Sequence, residues 1–264
     1  MQVLTQGIYS GTVTNTRGKG NVIASITAYN ADNFNGELHC HNNAHFSFAI
    51  TGGCVEKKKD AYEITPGTIT YYSAGEQHQV LKIPTSTRRI NLEIEDNFFK
   101  ENGLSDQEAR VAVTKNPDAK FLMVKMCREL LANDNFSETS IQMLLLGLIS
   151  KSKTMADENR LPVWVKLLYS YLHDHLDENT SLDELARLAG LHPVTLSKQF
   201  PRYFNCTFGE YKRKLKIEKS LGLIKSSAMK LTGIAYECGF FDQIHFTRNF
   251  KQFNGILPKE YRKL

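Results

Sequence analysis

Four histidines near the start of the chain have a spacing that could support chemistry: His39, His41, His45 and His78. Alternate residues of one β-strand share a face, so His39 and His41 converge. Four imidazoles form a donor set for a borderline metal such as zinc, iron or nickel. The plainer reading is of pocket or turn histidines that only hydrogen-bond, and no metal or other cofactor is expected. Tyr71, Tyr72 and Arg89 are further candidates to line a concave site with a few polar groups, the usual form of a small-molecule pocket.

A second set of side chains has the chemistry for reading base edges. Arg248 and Gln243 carry the paired hydrogen-bonding atoms that match guanine and adenine. Val194, Thr195, Ile244 and Thr247 offer methyl groups for thymine. Ser197, Lys198 and His245 complete the two faces, and Pro193 suits a first helical position.

Two copies of one pattern position these faces. The first is Leu185-Ala186, three residues, Gly190-Leu191, then Leu196 and Phe200; the second is Ile234-Ala235, three residues, Gly239-Phe240, then Phe246 and Phe250. A small Ala permits close helix approach, Gly permits a positive φ at a sharp turn, and the later apolar pair anchors the next helix. That is a helix-turn-helix, whose second helix keeps its outer face for the major groove. Ser181 and Glu184 read as a capping box ahead of the first copy, and Asp242 as the N-cap of the second reading helix. Tyr211 to Ile224 reads as one connecting helix, which would hold the two readers about one DNA turn, roughly 34 Å, apart.

Charge agrees with this placement. Residues 160–264 carry 17 Lys and Arg against 10 Asp and Glu, a net +7, whereas residues 1–159 carry 16 against 18, a net −2. A basic surface concentrated in one region is the footprint of a polyanion partner. Composition excludes a mainly disordered chain, with 41% hydrophobic and 23% charged residues. No apolar run is long enough to span a bilayer, and a soluble, cytoplasmic protein is expected. Five cysteines without a Cys-x-x-Cys pair argue against a disulfide framework or a zinc finger.

Between residues 22 and 94 the sequence predicts short antiparallel strands: Val22–Tyr29, His45–Thr51, Tyr62–Thr65, Thr68–Tyr72, Gln79–Ile83 and Arg89–Ile94. Gly52-Gly53, Pro66-Gly67, Ala74-Gly75 and Pro84 punctuate them, and Lys57 to Asp60 reads as an exposed hairpin tip. Helical periodicity then covers about 105–150, residues 151–160 read as a linker, and residues 161–264 as all-helical.

The stretch Ile234 to Lys251, continued by Gly255-x-x-Pro258-x-x-Tyr261-Arg262, is similar to the signature of the AraC/XylS family of transcriptional regulators. Pro201, Asn205, Ser220 and Gly233 depart from the family's usual residues. The N-terminal spacing, with Gly36 before His39-x-His41, His45 and Gly52, then Gly67 before Ser73-x-Gly75-x-x-His78, resembles the two motifs of the cupin barrel. His45 stands where metal-binding cupins have Glu.

The resemblance implies an α+β chain. A cupin-like sensing and dimerisation domain would occupy 1–150, with its barrel at about 20–95, followed by the linker and a double helix-turn-helix domain at 161–264. The implied function is sequence-specific promoter binding as a homodimer that contacts RNA polymerase, without enzymatic activity. It would answer a small-molecule effector held by His39, His41, His45, Tyr71, His78 and Arg89. The alternative is a cupin-type metalloenzyme or metal sensor with an attached DNA-binding domain, its metal held by His39, His41, His45 and His78.

Overall fold

The computed structural model describes residues 1–18, 21–30, 36–150, 161–175 and 180–264. Among the described residues eight strands come first: β1 (Gln2–Leu4), β2 (Thr12–Arg17), β3 (Val22–Tyr29), β4 (His39–His41), β5 (Ala44–Lys57), β6 (Ala61–Ile64), β7 (Ile69–Tyr72) and β8 (Gln79–Ile94). Eleven helices follow within the described residues: α1 (Asp96–Glu101), α2 (Asp106–Lys115), α3 (Ala119–Ala132), α4 (Ser137–Ser150), α5 (Val163–Asp174), α6 (Leu182–Ala189), α7 (Pro193–Phe204), α8 (Phe208–Ser226), α9 (Leu231–Glu237), α10 (Gln243–Asn254) and α11 (Pro258–Lys263). The chain is thus sheet-rich at its N-terminal end and helical thereafter. The expected linker at 151–160 lies outside the described residues. No described helix is long and apolar enough to cross a membrane, and all five cysteines are buried thiols.

Six strands pair in the order β2-β3-β8-β5-β6, with β7 also on β5, while β1 and β4 form a separate parallel pair. Among the described residues the hydrogen-bonded path does not close on itself, so the expected barrel is realised as an open sheet. A single antiparallel bridge, His39 to His78, ties the small pair to the start of β8.

Two of the expected strand ends are absent. Gln79–Ile83 and Arg89–Ile94 are one strand running through Pro84, and β5 runs through Gly52-Gly53. The glycines create register shifts against β8 between Ala49 and Val55 rather than a turn, the local slip that a β-bulge produces. Gly52 has φ +73°, and a Cβ there would lie 2.3 Å from the Ser86 carbonyl oxygen. Gly52→Ala is therefore expected to cost about 1–3 kcal/mol, by strained backbone and steric contact. Urea unfolding checks it: an unchanged midpoint would show that the bulge relaxes freely.

Apolar side chains divide into unequal cores. The larger joins the sheet (Ile26, Phe46, Phe48, Ile90, Leu92) and α3–α4 (Phe121, Met126, Leu145) to α8–α11 (Ile217, Leu221, Phe246, Phe250, Tyr261) without a break. Phe121 of α3 stacks on Phe253 of α10 with centroids 5.3 Å apart. Arg128 donates to the Gly255 carbonyl at 3.2 Å, and Arg88 donates to the Leu264 carbonyl. A second core, built on Val165, Leu168, Leu185, Leu196, Phe200 and Phe204, belongs to α5–α7 and the start of α8. The core thus crosses the expected 151–160 boundary and links the second helical repeat to the sheet.

Candidate nucleic-acid interface and sensor cavity

The first repeat is assembled by local signals. Ser181 and Glu184 form the expected capping box, with Ser181 N–H donating to the Glu184 carboxylate at 2.6 Å and Glu184 N–H donating to the Ser181 hydroxyl at 3.2 Å. Helix α6 ends at Gly190, φ +65°. Helix α7 opens with Pro193 at its first position, and the His192 ring accepts from the Val194 N–H at 3.3 Å. Leu196 and Phe200 are fully buried, leaving Val194, Thr195, Ser197 and Lys198 exposed and Pro193 half-buried. The helix continues through Pro201 to Phe204, and Asn205 takes the left-handed closing position, φ 56°.

The second repeat obeys the same rules. Gly239 has φ +72°, and the Asp242 carboxylate accepts from the His245 N–H at 2.6 Å, capping α10. Phe246 and Phe250 are buried; Gln243, Ile244, His245 and Arg248 are exposed, and Thr247 is half-buried. The Gln243 amide oxygen accepts from the Thr232 hydroxyl of α9, so that side chain helps join the two helices of its unit. Two exposed aromatics were missed: Phe241, 87% exposed beside the cap, and Tyr236 on α9, 60% exposed. No local signal separates them from ordinary surface aromatics, since single exposed apolar residues are common.

Helix α8 connects the units as a 19-residue rod, roughly 28 Å at 1.5 Å per residue. Much of its positive charge has internal work. Lys212 donates to the Thr180 carbonyl at 2.8 Å, Lys216 to the Gly239 carbonyl at 2.6 Å, and Lys214 pairs with Asp118 at 2.8 Å. Those amines fix both units and α3 relative to the rod, whereas Lys198 and Arg248 point outward from the reading helices.

The histidines gather in one cavity on the sheet. His39, His41, His45 and His78 line it with Tyr9, Tyr72, Glu56 and Arg89. The backbone bridge exchanges N–H groups between His39 and His78 at 3.0 and 2.9 Å, and their rings lie 4.3 Å apart. The His41 ring is 5.5 Å from both and 4.4 Å from His45. Burial, reinforced by the neighbouring imidazoles, lowers His41 to about 3 and His78 to about 4, so both are neutral near pH 7. Tyr71 is the exception among the expected pocket residues. It faces the opposite side of β7, packs on Phe46 and donates to Asp106 at 2.7 Å, because successive residues of a strand alternate faces. Tyr72 takes the cavity position, stacked on His45 at 4.6 Å.

Arg89 reaches the cavity as half of a buried ion pair. It meets Glu56 at 2.7 Å and Cys54 Sγ at 2.6 Å, while Tyr72 and Tyr62 donate to the same carboxylate. Burial by itself would raise the Glu56 carboxyl, but Arg89 and the tyrosine hydroxyl outweigh it and hold it low. Glu56 went unassigned in the sequence because a Glu near a lysine-rich turn reads as surface.

A helix-turn-helix domain model matches residues 185–264. The HTH-type transcriptional activator RhaS of Escherichia coli is 30% identical over 121 residues, covering 46% of this chain and 44% of that protein. The HTH-type transcriptional regulator GbdR of Pseudomonas aeruginosa is 24% identical over 147 residues, covering 52% and 40%. The chain therefore spans less than half the length of these relatives. Among solved structures, apo ToxT from Vibrio cholerae aligns over 93% of this chain and 98% of its own, at 13% identity and TM-score 0.37. An AraC-type regulator from Chromobacterium violaceum aligns over 38% and 89%, at 22% identity and TM-score 0.36. Residues 185–264 are thus a helix-turn-helix domain, and over 121 residues the chain is similar to an HTH-type transcriptional activator.

Proposed function

We propose that the chain is a sequence-specific regulator of transcription that binds double-stranded promoter DNA through both helical repeats and answers a small-molecule effector held at the sheet. The observation that carries this reading is the pair of capped helices, α7 and α10, each anchored by buried aromatic residues and presenting an exposed face in a basic region. Val194, Thr195, Ser197 and Lys198 form one face, led by Pro193; Gln243, Ile244, His245, Thr247 and Arg248 form the other. The cupin likeness of residues 20–95 and the division into sensing and DNA-binding parts belong to the same proposal. So do a cytoplasmic location, contact with RNA polymerase, the absence of enzymatic activity and pairing of two copies. Pairing through α4 is supported by exposed Met143 and Phe136 beside half-buried Leu144 and Leu146.

Selection from random duplex oligonucleotides tests the proposal: a recovered consensus supports it, and the absence of any preference ends it. On the recovered site, Arg248→Ala is expected to cost about 1–3 kcal/mol and to relax preference at one base pair. An equal loss on random DNA would reassign Arg248 to a phosphate. Affinity is also expected to fall steeply with salt, because each neutralised phosphate releases counterions.

A further inference from the structure

Phe241 stands immediately ahead of Asp242, the cap of α10, and its ring is 87% exposed. Exposure of one aromatic carries little weight by itself; its position carries more. An apolar residue just before a helix cap ordinarily packs on the fourth residue of the helix, a hydrophobic staple that fixes how the chain enters. In α10 that fourth residue is the buried Phe246.

The two repeats show why Phe241 is left out of the staple. In the first, Leu191 directly precedes the His192 cap and is partly buried against the second core, which contains Leu196, the fourth residue of α7. The second turn is one residue longer, Gly239-Phe240-Phe241-Asp242 against Gly190-Leu191-His192. Backbone bonding identifies the equivalent positions: the Leu191 N–H donates to the Ala186 carbonyl and the Phe240 N–H to the Ala235 carbonyl, each at 2.9 Å. Phe240 is buried, its ring 5.5 Å from that of Phe246. Phe240 thus supplies the staple, Phe241 is the inserted residue, and the interior of the unit is complete without its ring.

The surroundings say what the ring meets. Gln243, Ile244 and His245, the first three residues of α10, are exposed beside it, Ile244 at 81%. A reading helix enters the major groove by its N-terminal residues, so a ring ahead of the cap arrives there with them. The net +7 of residues 160–264 favours a polyanion over an apolar protein face as the occupant. On base edges in that groove the apolar feature is the thymine C5-methyl group, which phenylalanine can cover.

We propose that Phe241 is a specificity-determining residue of the second reading unit, its ring covering the methyl group of one thymine beside the bases that α10 reads. The proposal rests on the regulator reading and adds to it a residue and a base preference.

The test uses the full chain and an operator selected from random duplexes. Each thymine of the operator is replaced in turn by uracil, which keeps the base pairing and lacks only the methyl group. For the unaltered chain one replacement should weaken binding about fourfold, the worth of one buried methyl-sized group. Phe241→Ala should weaken binding to the thymine operator by at least that factor and abolish the response to this replacement, while Tm and affinity for random duplex stay unchanged. An operator with no uracil-sensitive thymine would overturn the proposal and leave the regulator standing. A uracil response that survives in Phe241→Ala and disappears in Ile244→Ala would overturn it and give the methyl to Ile244. Equal loss on operator and random duplex would overturn it in favour of a sugar–phosphate contact. Unchanged DNA binding by Phe241→Ala, with less transcript from the bound promoter in a reconstituted reaction with RNA polymerase, would overturn it in favour of a protein face. A chain that selects no operator would overturn the regulator reading itself, and this contact with it.

Discussion

Arg89→Ala is expected to destabilise the chain by about 3–5 kcal/mol, because removing one partner of a buried ion pair strands the other charge. Arg89 and Glu56 are 6% and 1% exposed, so water cannot replace the lost guanidinium. Two tyrosine hydroxyls would remain on the carboxylate, a partial compensation only. Urea unfolding near pH 7 measures the loss, and a change below about 1 kcal/mol would mean that the pair is not desolvated. The double replacement Arg89→Met with Glu56→Gln should recover most of the stability, since a neutral pair carries no stranded charge.

The pH dependence has a definite sign. In the unaltered chain the Glu56 carboxyl is held below its ordinary 4.5, so its contribution is present above that value and declines as the pH falls through the depressed one. Without Arg89, burial would instead raise this carboxyl, which disfavours folding at neutral pH and ceases to do so once the group is protonated. The gap between the two proteins should narrow as the medium is acidified toward pH 4.5. A constant gap would show that the alanine acts by lost packing.

The second large effect distinguishes the largest core from the second. Phe200→Ala and Phe250→Ala each remove a fully buried ring, at a cost of about 3–5 kcal/mol. Their reach should differ. Phe200 belongs to the smaller core, so its loss should open α5–α7 while the sheet keeps its protection. Phe250 shares a core with Ile90 and Leu92 of β8, so its loss should hasten amide exchange in that strand as well. Hydrogen exchange of β8 amides reads the difference directly. Equal protection of β8 in both variants would mean that the larger core is two cores in contact.

Legibility in the sequence followed the range of the forces involved. The capping box at Ser181, the turns at Gly190 and Gly239 and the cap at Asp242 depend on neighbours within five residues, and each was readable in advance. Strand β3 was legible to its ends because Val22–Tyr29 is β-branched throughout much of its length. Gly52-Gly53 misled because a bulge and a hairpin turn demand the same residue; the difference lies in β8, some 35 positions away. The histidine convergence was half visible: alternation paired His39 with His41, but only the long-range bridge brings His78 to them. The Tyr71 and Tyr72 faces turned on a register of one residue, which no local pattern specifies. Lys214 and Glu56 owe their burial to Asp118 and Arg89, partners distant in sequence that no local pattern identifies.

The two reading helices are mounted on the sheet by unlike means. Helix α10 meets α3 through stacked rings within a continuous apolar interior, whereas α5 of the first unit meets α2 through the Tyr169 hydroxyl on the Thr114 carbonyl and Lys115 over the Tyr169 ring. Close-packed interiors are nearly incompressible, while solvent readily substitutes for surface polar contacts. A small displacement of α3 would therefore arrive at α10 almost undiminished, and at α7 by way of the α8 rod that both units share. Against a duplex, the phase between the two readers would then be set by that rod rather than by the polar contact of α5.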